Sequence, residues 1–236
     1  MSESIHFHSQ GLLLNGTLHR PTTMHPPLII GMHGLLSDSS SPKQIALAER
    51  CVARGMAYLR FDHRGCGLSQ GDIAVDTTFA GRCGDLVAAV AWATERLPAR
   101  TALGFFGSSY GGTVALAMAT QLKAGAVVTV AAPVRSSALQ GAIHDPVKPV
   151  ILNNADFRRC IRFDITGRLA SLHNLMVFHG ERDTVVPVSH AFEIHAAAQH
   201  PKKLFIQPNG DHRMSNRRHQ DHFLNEAVIW FTEHLC

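Results

Sequence analysis

Two short stretches near the amino terminus alternate apolar and polar residues. They are residues 4–9 and part of Leu12–His19, separated by Gln10-Gly11. A period of two around such a dipeptide predicts a β-hairpin. After Pro26-Pro27 the pattern changes. Apolar runs at residues 28–32, 57–61, 102–106, 126–131, 175–178 and 204–206 have strand length, and several carry no alternation. Strands covered on both faces look like this. Amphipathic stretches lie between them. Residues 42–54 follow Ser41, a candidate N-cap, place Pro42 at the first helical position and end before Gly55. Residues 78–97 carry Phe79, Cys83, Leu86 and Val90 on one stripe, and Pro98 stops them. Residues 110–122 are rich in Ala and small side chains, 189–199 form a shorter stretch, and 219–235 set Leu224, Val228, Phe231 and Leu235 on one face. This alternation predicts an α/β fold, a mostly parallel central sheet with helices on both faces and an N-terminal antiparallel hairpin. In such sheets function collects at the carboxyl ends of the strands.

One stretch breaks the rhythm. Residues 135–173 have no clear strand period, are punctuated by Gly141, Pro146, Pro149 and Gly167, and carry Arg158, Arg159, Arg162 and Arg168. They are expected to form a cap-like insertion of two short helices over the strand ends. The insertion is too short to stand alone, so residues 1–236 read as a single domain. The composition fits: 45% of residues are apolar and 17% charged, enough for a large core. The net charge of +4 comes from scattered basic residues with no Lys/Arg run, so no nucleic-acid partner is expected. Cys51, Cys66, Cys83, Cys160 and Cys236 show no paired spacing and read as reduced thiols of a cytoplasmic protein. The polar start MSESIHFHSQ reads as no secretory signal, and no apolar run is long enough for a membrane span. A monomer or a homodimer would fit. Composition adds one question: which of the 16 histidines carry chemistry.

Gly107-Ser108-Ser109-Tyr110-Gly111 matches Gly-x-Ser-x-Gly. Alone the match is weak, but an apolar strand runs into it and a small-residue helix leaves it. A serine on that turn is held on a sharp elbow with its hydroxyl exposed above the sheet. The helix amino end adds unpaired N–H groups and partial positive charge. A plain N-cap would explain Ser108-Ser109 as well. Ser109 is preferred over Ser108 because only Ser109 is two residues from both glycines.

A nucleophilic serine needs a base, and the base an orienting acid. His212 is the histidine well inside the connection between the last strand and the last helix, in Asn209-Gly210-Asp211-His212. His219 and His222 fall in the helical pattern and read as solvated. His33 and His179 each precede a glycine at a strand end and read as loop-positioning; His33 and Gly34 are assigned to the substrate pocket. For the acid, Asp183 follows the strand at 175–178, in chain order Ser–Asp–His. Glu181 is a secondary candidate, Asp211 is expected to point away, and Asp145, Asp156 and Asp164 are weaker. Two backbone N–H groups must hold the oxyanion. Tyr110, after the nucleophile, and Leu35, after the first parallel strand, are the candidates.

Five features in order resemble the α/β-hydrolase superfamily: His33-Gly34-Leu35, the loop Asp62-His63-Arg64-Gly65-Cys66-Gly67-Leu68-Ser69, the Ser109 motif, His179 to Asp183 with Val185-Val186-Pro187, and Gly210-Asp211-His212. The resemblance runs along the whole chain and is to compact serine esterases of the cinnamoyl/feruloyl-esterase and monoacylglycerol-lipase-like type and to prolyl-oligopeptidase-like hydrolases. It implies a two-step acyl transfer through Ser109, His212 and Asp183 on a small-molecule ester, with no cofactor and no metal. In that group residues 62–69 shape a loop, and Cys66 stands where a bulkier residue is expected. Thioester or amide cleavage would use the same constellation. Two other classes remain. A metalloenzyme would suit a His-rich chain, but His-Glu-x-x-His and Cys-x-x-Cys are lacking and His6 and His8 have no evident third ligand. A noncatalytic binding protein on this scaffold is the other. The insertion's arginines would attract an anionic substrate group, though a solvated basic face is the simpler account.

Overall fold

The computed structural model describes residues 1–97, 101–139 and 161–236. Strands β1 (Ser2–Ser9) and β2 (Leu12–His19) pair antiparallel with Ser9 opposite Leu12. Gln10 and Gly11 close the turn at φ of 49° and 87°, the left-handed geometry that a two-residue hairpin requires. Ile5 and Phe7 face inward, while His6 and His8 share the exposed face. The parallel strands are β3 (Leu28–Met32), β4 (Ala57–Phe61), β5 (Leu103–Ser108), β6 (Ala126–Val130), β7 (Leu175–Gly180) and β8 (Lys202–Gln207). All lie in one eight-stranded sheet of order β1-β2-β4-β3-β5-β6-β7-β8, and the β1–β2 and β2–β4 pairings are its antiparallel ones.

Helices α1 (Pro42–Ala53) and α5 (Arg217–Leu235) cover one face, α2 (Phe79–Thr94), α3 (Tyr110–Met118) and α4 (Ser189–Ala197) the other. On the first side Leu47, Tyr58, Phe106, Phe178, Phe223 and Phe231 make the core; on the second Leu28, Ile30, Leu86, Phe105, Val114 and Ile194 do. The chain leaves β3 toward β4 on one side and returns to β5 on the other. That reversal opens a crevice at the carboxyl ends of β3 and β5.

Two expectations gain detail and one needs correction. Ser41 is the N-cap of α1 as expected, although its side chain makes no capping bond. Its carbonyl instead accepts from Gln44 N and Ile45 N at 2.9 and 3.1 Å, and Pro42 at the first helical position needs no partner for an N–H it lacks. The expected stripe of α2 does pack on the core, through buried Leu86 and partly buried Phe79, Cys83 and Val90, and the buried face extends to Gly81, Arg82, Asp85, Ala89 and Ala93 because the two charged residues bond inside the molecule. His219 is half-buried, not solvated, and its Nδ1 is out of contact with solvent, because Gln207 Nε2 holds its carbonyl against the sheet end at 3.0 Å.

Residues 140–160, with most of the expected insertion, lie outside the described residues. Its two ends are tied together: Arg135 and Asp164 form a β-bridge, and Ser136 N donates to Phe163 O at 3.0 Å. Phe163 packs on Tyr110 and Phe79, with ring centroids 5.4 Å away in each case.

Candidate active site

β5 runs into Ser109 and α3 leaves from it. Ser109 has φ 53° and ψ −123°, a conformation costly for a residue with a side chain. Its neighbours hold it there. Ser109 N donates to Val130 O at 2.8 Å, and its carbonyl accepts from Gly112 N at 2.8 Å. A Cβ on Gly107 would collide with the Gly111 carbonyl, and one on Gly111 with the Met32 and His33 carbonyls. Gly111 thus lets the carboxyl end of β3 close on the elbow. A Cβ on Gly34 would sit 3.5 Å from Ser109 Cβ, so the loop after β3 borders the serine.

His212 lies between β8 and α5. Its Nε2 is 3.1 Å from Ser109 Oγ and its Nδ1 is 2.8 Å from Asp183 Oδ2. With a carboxylate at Nδ1, the neutral ring carries its proton there and turns the Nε2 lone pair to the serine O–H. The Asp183 side chain is fully buried. Its Oδ1 accepts from Val185 N and Val186 N, each at 2.8 Å, and His179 Nε2 lies 3.2 Å from Oδ2. Burial alone would raise its pKa; the hydrogen bonds from His179 and His212, the charge of His212 and the Val186 amide outweigh burial and hold it well below the usual carboxylate range.

The loops that carry Asp183 and His212 touch. A Cβ on Gly180 would collide with the Gly210 carbonyl, and that carbonyl accepts from Arg182 N at 2.9 Å. The other carboxylates bond elsewhere: Asp211 Oδ1 accepts from Ser215 N at 2.8 Å, Glu181 Oε2 from Asn209 N at 2.9 Å and Asp164 Oδ1 from Thr166 N at 2.9 Å. Asp145 and Asp156 lie outside the described residues.

Ser109 and His212 open on a cleft of about 740 Å³ that His33, Gly34, Leu35 and Leu36 also line. Among the described residues its charged lining is Lys43 and Arg213 against Asp38. Burial lowers the Lys43 ammonium to about 8, against the opposing pull of Asp211 and Asp183. The insertion's Arg158 and Arg159 lie outside the described residues; Arg162 is exposed, and Arg168 donates to Ala117 O at 2.9 Å.

His33 is a buried loop-positioning group. Its Nδ1 is 2.7 Å from Gly34 O and its Nε2 accepts from His63 N at 3.0 Å. That pair of partners fits a neutral ring, and burial, with Arg82 and His63 nearby, holds its pKa well below the ordinary value. His179 Nε2 lies 2.8 Å from Val186 O and fixes the turn that carries Asp183. Tyr110 opens α3 with a fully buried side chain.

Reading the sequence missed what stands behind this loop. Asp85 Oδ1 accepts from Arg64 Nε and Nη2 at 2.9 and 2.8 Å; its Oδ2 accepts from Arg64 N at 3.1 Å and lies 3.2 Å from His63 Nδ1. Arg82, one turn before Asp85, is also buried and reaches the loop carbonyls. The signal in the sequence was two charged residues three apart on a helix.

Among the described residues, no group of three or more His, Cys, Asp and Glu side chains is placed to hold a metal ion, Cys51, Cys83 and Cys236 are free thiols, and no helix is long and apolar enough to cross a membrane.

Residues 11–147 match the X-Pro dipeptidyl-peptidase (S15) family. The chain belongs to that family. This S15-family chain is 31% identical over 192 residues to an uncharacterized protein of Mycobacterium tuberculosis, covering 79% of this chain and 63% of that protein. It therefore spans under two thirds of the length of that relative. It is 34% identical over 119 residues to the quorum-quenching protein AidA of Acinetobacter baumannii, covering 49% of this chain and 38% of AidA. Among solved structures, Est1E from Butyrivibrio proteoclasticus with ferulic acid bound superposes at TM-score 0.85 with 20% identity over 98% of both chains. An esterase of Pyrococcus furiosus superposes at TM-score 0.83 with 18% identity, over 100% of this chain and 91% of that one. These superpositions show the α/β-hydrolase fold, and the resemblance read from the sequence stands.

Proposed function

We propose that this protein is a serine hydrolase that cleaves a carboxylic ester of a small to medium substrate through an acyl-enzyme. The observation that carries the reading is the hydrogen-bonded chain Ser109–His212–Asp183 at the wall of an open cleft. His212 Nε2 takes the Ser109 proton as Oγ attacks the ester carbonyl. Asp183 holds the ring and stabilises the imidazolium, and its low pKa keeps it ionised throughout. The N–H groups of Leu35 and Tyr110 receive the oxyanion. His212 then returns its proton to the departing alcohol, and water, activated by the same histidine, releases the acid. The mechanism as written needs no metal and no cofactor.

The family match favours a second reading, peptide cleavage, with thioester and other amide cleavage using the same groups. An enzyme that removes an X-Pro dipeptide must hold the substrate's terminal ammonium. The cleft lining supports the ester reading instead: among the described residues its charges are Lys43 and Arg213 against Asp38, a cationic excess that would repel that ammonium. The test is a p-nitrophenyl ester chain-length panel beside an X-Pro p-nitroanilide, with Ser109→Ala as control and a fluorophosphonate to label Ser109. Ester turnover lost in the variant is the expected result. Turnover retained in Ser109→Ala would overturn the serine reading, and faster anilide cleavage would favour the peptidase. The protein is read as cytoplasmic, without a nucleic-acid partner, and as a monomer or homodimer; sedimentation would give its state.

A further inference from the structure

Behind the loop after β3 lies a guanidinium with an unusual set of partners. Arg82 is 0% exposed. Its Nη1 donates to His33 O at 3.4 Å and Gly34 O at 3.2 Å, and its Nη2 to Leu35 O at 2.9 Å. Nη2 is also 3.3 Å from Cys66 Sγ, and the Arg82 Cζ lies 5.1 Å from the centre of the Tyr110 ring. Among the described residues no carboxylate is within ion-pair distance of Arg82; Asp85, one turn on, is engaged by Arg64 and His63.

Three successive carbonyls therefore converge on one cation. In a trans peptide unit the C=O and the following N–H point in opposite directions. Carbonyls of residues 33, 34 and 35 turned toward Arg82 leave the N–H groups of Gly34, Leu35 and Leu36 turned away from it. Among the described residues none of these three N–H groups donates a hydrogen bond. All three residues line the cleft with Ser109. Consecutive N–H groups on one side of a loop form an anion-binding concavity.

We infer that Arg82 is the positioning residue of the oxyanion hole: it aims the Leu35 N–H at the tetrahedral oxyanion by gripping the loop's carbonyls from behind. Because no carboxylate among the described residues pairs with it, its charge also reaches the oxyanion through a low-dielectric interior, where charge is felt most strongly. Cys66, small where a bulkier residue was expected, leaves room for the guanidinium at this point. A lysine would keep the charge but not the fork, since a single ammonium cannot match a planar guanidinium across three carbonyls.

This inference rests on Ser109 being the nucleophile. The test compares Arg82→Met and Arg82→Lys with wild type, each scaled to active sites titrated by a fluorophosphonate taken to completion. Loss of one oxyanion donor costs about a hundredfold or more in kcat. The expected result is therefore about a hundredfold lower kcat for Arg82→Met and at least about tenfold for Arg82→Lys, with KM changed by less than about threefold. The inhibition constant of phenylboronic acid, which forms a tetrahedral adduct on serine, should rise in step with the fall in kcat. A merely structural role would lower the titrated fraction and the melting temperature but leave kcat per site and the boronate affinity alone. If Arg82→Met does not fold, Arg82→Lys decides. Either folded variant with wild-type kcat per site and boronate affinity overturns the inference. Full turnover by Ser109→Ala would instead remove the nucleophile reading.

Discussion

His212–Asp183 and His63–Asp85 are the same chemical pair placed in two regions of one sheet. In each, a histidine Nδ1 faces a fully buried aspartate Oδ2, at 2.8 Å in the first and 3.2 Å in the second. What differs is the far side of the ring. His212 Nε2 faces Ser109 and an open cleft, and 18% of its side chain is exposed. His63 Nε2 is buried with no hydrogen-bond partner among the described residues, and the ring packs edge-on to Phe61 and His33. Asp85 is also claimed by Arg64 through two guanidinium bonds, whereas Asp183 has backbone amides and two histidines. The carboxylate–imidazole pair does not by itself make a proton-transfer site. A reactive partner at the second nitrogen and a path for substrate do.

The sharpest way to break the comparison is to remove each histidine. His212→Ala should lower ester turnover by about ten-thousandfold or more and leave the melting temperature near wild type. His63→Ala should do the reverse, keeping turnover per titrated site within a few-fold while unfolding at lower urea. Equal kinetic losses from both would mean the two pairs are not distinct in function.

The aspartates give the next test. Asp183→Asn should cost about ten-thousandfold in kcat by letting the imidazole take the wrong tautomer. Asp85→Asn strands the Arg64 guanidinium and should cost about 3–5 kcal/mol of stability in urea unfolding. A stable Asp85→Asn protein would show that Arg64 finds another partner.

The smallest effect is on acidity. Burial, opposed by the hydrogen bond to Asp85, lowers His63 from 6.5 to about 4, and burial, with Arg82 and His63 nearby, also holds His33 well below its ordinary value. Below the unfolded value the unfolded chain binds more protons than the fold. Stability should therefore fall as pH drops from about 6.5 toward 4, before carboxylates titrate. Urea midpoints across that range check it. A flat profile would mean that these rings already ionise in the folded chain.

The order of strands and helices was legible because parallel strands buried on both faces leave apolar runs, unbroken at Leu28–Met32 and interrupted only by Arg60 at Ala57–Phe61, and the structure reproduces both to the residue. The placement of Ser109, His212 and Asp183 followed, since each sits just after the carboxyl end of a strand that the pattern located. The charged part of the inner face of α2 was not legible. Arg82 and Asp85 are charged, and hydropathy assigns such residues to solvent; only partners brought from β3 and the loop after β4 make their burial tolerable. The half-buried state of His219 was hidden for a similar reason, as Gln207, which holds it, comes from the end of β8.

The contact between Gly180 and Gly210 has a mechanical consequence. With no side chain between them, the loop that carries Asp183 and the loop that carries His212 are fastened backbone to backbone. A displacement of one drags the other, so the 2.8 Å bond between Asp183 and His212 is the stiff coupling and the 3.1 Å approach of His212 to Ser109 is the working joint. Under the proposed mechanism, a substrate that nudges the serine elbow would meet imidazole and carboxylate as a single part with one tolerance to satisfy.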